Sequence, residues 1–126
     1  MSAKPNKLIF FIIVSILFIT SCSSEYNRIE KEYNKLFEKT VSMLDVKNVY
    51  QSIVSNNLVS NLEKLNELME KIEESSPTNN KSSVDEYMII KQKHELLTEV
   101  IEKGQNWDTL GELDKFMYKK KIESIR

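Results

Sequence analysis

One cysteine, one histidine and one tryptophan, with two glycines and two prolines, are all that the 126 residues hold of the types on which compact chemistry most often depends. A lone cysteine excludes a disulfide within the chain. With one imidazole beside it, a Cys/His zinc cage is excluded as well. Gly104 and Gly111 stand apart, so no glycine-rich loop can cradle a phosphate. Glycine and proline are too sparse for the tight turns of a hairpin-built β architecture. Long hydrophobic runs are missing too: the longest covers residues 8–19, 12 positions interrupted only by Ser15, where a membrane-spanning helix needs about 20. Charge of one sign is also scarce, with 18 basic against 19 acidic side chains. That balance gives no case for nucleic acid as a partner.

What the chain does have begins at its N-terminus. Lys4 and Lys7 form a positive start, the apolar run 8–19 follows, and the small residues Thr20 and Ser21 stand before Cys22. A basic n-region, an apolar stretch of roughly 7–15 residues and small residues at the cut are the layout of a secretion signal. The run Ile19-Thr20-Ser21-Cys22 resembles the lipobox of bacterial lipoproteins, an aliphatic and two small residues before an acceptor cysteine. The resemblance covers residues 1–22 and implies cleavage between Ser21 and Cys22 with a diacylglyceryl group on the Cys22 thiol. It divides the chain into a signal peptide at 1–21, a lipidated cysteine and short tether at 22–24, and one domain at 25–126. Losing Lys4 and Lys7 leaves 16 basic against 19 acidic side chains, a net charge near −3. At about 0.8 kcal/mol per buried methylene, one acyl chain holds only marginally, whereas two or three hold firmly. Membrane lipid is thus the first expected partner, and the expected location is the cell membrane or outer membrane with the domain on the exported side.

The domain reads as helical. Tyr26, Ile29, Tyr33, Leu36, Thr40 and Met43 step by three and four, with Phe37 and Leu44 widening the stripe; this is one apolar face of an amphipathic helix. The segment 46–59 is rich in valine but lacks strand alternation, and is read as helix with a break near Asp45 or Asn56. Ser60 and Glu63 have capping-box spacing ahead of Leu62, Leu65, Met69 and Ile72. Residues 75–83, a Ser/Asn cluster around Pro77, form a polar loop. Ser83 with Glu86 is a second capping box, opening a helix with Tyr87, Ile90, His94, Leu97 and Ile101 on one face and Gly104 as its C′ stop. Thr109 with Glu112 is a third, before Leu110, Leu113, Phe116 and Met117, with Ile122 beyond. Such helices bury their stripes against one another, so the expected fold is all-α, a small antiparallel bundle of three to four helices. The alternative is a long helical hairpin that self-associates.

Candidates for chemistry are few. His94 lies on an apolar stripe and reads as a structural histidine. The serines fall in caps and loops, where hydroxyls serve the backbone. Glu25, Glu30, Glu32, Glu63, Glu67, Glu70, Glu73 and Glu74 interleave with lysines as solvated helix faces. For binding, Trp107 is either an exposed anchor or the lid of the bundle's end. Lys119, Lys120 and Lys121 with Arg126 either lean on anionic headgroups or complement a helix dipole. The expected function is a non-enzymatic, membrane-anchored envelope lipoprotein whose domain binds a protein partner or host ligand. It takes no small-molecule substrate and no cofactor or metal beyond the lipid on Cys22. The alternative is an immunity or entry-exclusion lipoprotein that protects the producing cell.

Overall fold

The computed structural model describes residues 25–75 and 81–126, the first three of the second segment by backbone alone. The lipobox, with Ser21 and Cys22, lies outside the described residues. Five helices carry the described chain: α1 over residues 25–43, α2 (Val49–Ser55), α3 (Leu58–Ser75), α4 (Lys81–Gly104) and α5 (Glu112–Ile125). A 3-10 turn, Trp107–Thr109, joins the last two. No strand occurs among the described residues. The expected all-α bundle is the fold, with the valine-rich stretch forming a short helix of its own.

That extra helix has local causes. After α1, the Asp45 carboxylate accepts the Lys47 N–H at 2.9 Å, and the Asp45 N–H donates to Ser52 Oγ at 3.1 Å. These bonds replace helix continuation with a turn. At the far end of α2 the backbone reverses at Asn57, whose φ of 52° is left-handed, a conformation asparagine tolerates better than most residues. Because α3 starts at Leu58, Ser60 sits inside its first turn and is no cap. Neither of the other expected capping boxes forms: α4 already begins at Lys81, ahead of Ser83. At α5 the N-cap is Gly111, and the Thr109 hydroxyl donates to Asn106 O at 2.7 Å. The polar loop of 75–83 is shorter than expected, since Ser75 ends α3 and Lys81 opens α4.

Side-chain pairs give the directions. Asn61 Nδ2 donates to Thr40 Oγ1 at 3.3 Å, and Tyr33, Asn66 and His94 meet in one layer. Tyr87 Oη donates to Glu73 at 2.9 Å. Hence α3 runs antiparallel to both α1 and α4. Glu99 accepts from Tyr118 and Lys121, while Ile125 approaches Ile89 and Ile90, so α5 returns antiparallel along α4. The core lies between these helices, with Leu58, Leu65, Ile72, Leu97, Ile101 and Ile122 fully buried. It closes inside one chain, so the hairpin that needed a second copy to finish its core is set aside.

Two expectations fail for instructive reasons. Gly104 is no left-handed stop: it is the last residue of α4, and neither glycine has a positive φ. It is small because α2 crosses there. A Cβ would enter the envelope of Ile53 Cδ1 and lie 3.1 Å from Val49 Cγ1. The second failure is the face of α5. Tyr118, Ile122 and Ile125 are the buried stripe, whereas Leu113, Phe116 and Met117 are 72%, 59% and 45% exposed. Residues 113, 116 and 117 lie across the helix from 118, 122 and 125, so only one of the two apolar sets can face α4.

Candidate functional site

Beyond Ile125 the bundle leaves a groove of about 470 Å3 between α1 and α4. Tyr33, Phe37 and Val41 of α1 form its floor, with Ile89 and Ile90 of α4 and Ile125 at its end. Phe37, Val41 and Ile90 are nearly covered, but Ile89 stays 53% exposed. Glu38, Lys93 and Arg126 stand around this apolar lining. The Arg126 guanidinium donates to the carbonyl of Leu44, closing the groove's end with the last residue of the chain. An apolar lining with a few polar groups at its edge is the usual build of a binding site.

Behind the groove lies the bundle's one polar layer built on an imidazole. Tyr33 Oη is 2.8 Å from His94 Nδ1, and His94 Nε2 is 2.7 Å from Asn66 Oδ1. The amide oxygen only accepts, so Nε2 carries the proton and Nδ1 accepts from the Tyr33 hydroxyl. Burial holds His94 below its ordinary pKa, against the pull of Glu73 and Glu95. Burial likewise pushes the Tyr33 phenol upward. With both ring nitrogens bonded, His94 has no lone pair for a substrate proton. The two bonds tie α4 to α1 and α3, and nothing in the sequence marked Asn66 as a partner of His94. On its outer side, Glu70, Glu73, Lys91 and Glu95 border a shallow polar surface.

Other candidates resolve individually. Trp107 is half-buried and packs against the core at the α4–α5 turn, the lid-like of the two readings. Lys121 is engaged: its Nζ lies 3.0 Å from both carboxylate oxygens of Glu99 and 5.0 Å from the Tyr118 ring centroid. That hydrogen bond holds the Glu99 carboxyl below the usual range. Lys119 and Lys120 are exposed, the latter 3.4 Å from Glu123 and 5.6 Å above the Phe116 ring. The basic run is therefore divided, with one lysine inside the fold and two outside it. Of the serine hydroxyls, Ser42, Ser52, Ser55, Ser75 and Ser124 donate to carbonyls of their own helices. The glutamates Glu63, Glu67, Glu70, Glu73 and Glu74 are exposed along α3. Among the described residues no three His, Cys, Asp or Glu side chains converge as a metal site, and no helix is long and apolar enough to cross a membrane. No family model, no curated protein and no solved structure matches the chain.

Proposed function

We propose that this chain is a lipid-anchored envelope protein, non-enzymatic, whose helical domain binds a protein partner or host ligand in the groove between α1 and α4. The observation that carries the reading is the run Ile19-Thr20-Ser21-Cys22 behind a basic start and a 12-residue apolar stretch. A multiply acylated Cys22 holds the domain at its membrane, on the exported side. Only Ser23 and Ser24 stand in sequence between Cys22 and residue 25, which is helical. The groove supports the binding part: aromatic and aliphatic side chains line it, and charges of both signs stand at its edge. The engaged state of His94 supports the non-enzymatic part.

The test is fractionation of the producing cell. Wild type partitions into the detergent phase of membranes, and Cys22→Ala appears in soluble fractions or accumulates with its signal uncut. Unchanged detergent partitioning of a shortened Cys22→Ala protein overturns the anchor.

A further inference from the structure

We propose that the outward face of α5 is where two copies of this chain meet, packed antiparallel about a twofold axis close to Phe116. The inference does not rest on acylation of Cys22. Leu113, Phe116 and Met117 are 72%, 59% and 45% exposed and follow one another at helical spacing. They form one continuous apolar strip, over which only the Lys120 ammonium leans among the described residues, 5.6 Å from the Phe116 ring centroid. Large aromatic and thioether side chains on such a strip are the types that concentrate binding energy when covered. The core needs no help from them, because Tyr118, Ile122 and Ile125 already seal α5 to the bundle.

The charges along this face select the occupant. On one edge of this face Glu112 stands before the strip and Lys119 after it, while Lys120 is paired with Glu123 within its own helix. A twofold interface brings the same patch of each copy against itself in reverse. Positions 112 and 119 are seven residues apart and share one edge of the face. With the axis near Phe116 they come opposite one another, Glu112 of each copy against Lys119 of the other. Both groups are available. The Glu112 side chain is 96% exposed and holds only a long, 4.0 Å ion pair with Lys115 Nζ, which a closer partner can replace. Lys119 is exposed and has no ion pair among the described residues. A parallel pairing would set like charges together at both ends. A lipid surface would meet the acidic end as well as the basic one. Exposed pairs of this kind contribute little affinity but fix orientation and register.

The test is the mass of the full chain, purified from whole-cell detergent extracts in density-matched detergent, by sedimentation velocity over a concentration series. Wild type is expected at twice the protomer mass, and Phe116→Ser with Met117→Ser at the protomer mass with unchanged helical circular dichroism. Glu112→Lys and Lys119→Glu, each alone, place like charges across the axis at two sites and should weaken association about tenfold. Mixing these two variants makes both sites complementary again and restores the dimer as a heterodimer. A protomer mass for wild type at every concentration overturns the proposal, as does a dimer indifferent to the serine variant or variants that fail to recover on mixing. Slowed amide exchange in α5 on phosphatidylglycerol vesicles, with the protein at protomer mass, assigns the face to lipid and likewise overturns it. An unacylated Cys22 leaves every one of these outcomes unchanged, so the two proposals fail separately.

Discussion

His94 shows what a single residue contributes when both its nitrogens are used. It ties α1 to α3 through Tyr33 and Asn66 in its neutral form, and burial favours that form. The folded pKa thus lies below the unfolded value of 6.5. The contribution is complete above that value and is lost as pH falls below it, because the unfolded chain takes up a proton that the folded chain refuses. Urea midpoints are expected to fall from about pH 7.5 to 5.5 in wild type, and to stay nearly level in His94→Gln, whose side chain does not titrate. Equal slopes would refute the assignment. Gly104 makes the complementary point, a residue chosen for what it lacks. Gly104→Ala gains up to about 1 kcal/mol of helix propensity but overpacks Ile53 and Val49, which costs about 1–3 kcal/mol. A net loss near 1 kcal/mol is expected in chemical denaturation, recovered in part by adding Ile53→Val. A more stable Gly104→Ala would contradict the close crossing of α2 over α4.

At the scale of the helix, α5 carries two apolar stripes and buries only one of them. Truncating Ile122, fully buried, to alanine should cost about 2–5 kcal/mol. Phe116→Ser in dilute protein should change stability by no more than about 0.5 kcal/mol. The sequence reading placed Phe116 in the core, so the reverse order of effects would restore that reading against the structure. Much of the rest was legible from periodicity. The α1 stripe is buried at Tyr26, Ile29, Tyr33, Phe37, Thr40 and Leu44, and the α4 stripe at Ile90, Leu97 and Ile101. What periodicity could not rank was two faces of equal apolarity, as on α5, where tertiary packing alone decides. Helix starts were illegible for a related reason. Ser60, Ser83 and Thr109 have capping spacing, but α3 and α4 begin before their serines, and α5 starts beyond Thr109, at Glu112 with Gly111 as its N-cap. Gly104 was misread because a glycine demanded by a crossing helix looks the same in sequence as one demanded by a left-handed turn. Asn66 was invisible because a cross-helix hydrogen bond leaves no periodic mark.

At the scale of the whole molecule, only Ser23 and Ser24 separate the proposed anchor at Cys22 from residue 25, where the described bundle begins. Contacts place residue 25 at the end of α1 farthest from the start of α3, and α5 starts at the other end, after α4 has run the length of the bundle. If Cys22 is the anchor, as proposed, the apolar strip of α5 lies toward the domain's outer end. The groove lies along its side, where Tyr33 and Phe37 meet Ile89. Two surfaces with different chemistry, the exposed strip of α5 and the concave groove, are the ones to which the two proposals assign a second copy and a partner. The anchored reading depends on the identity of the first mature residue. Intact and fragment mass spectrometry of the membrane-extracted protein tests it most directly. The account predicts that residues 1–21 are gone and that the N-terminal peptide begins at Cys22 carrying a diacylglyceryl thioether. A peptide that retains residues 1–21 with a free Cys22 thiol would contradict it.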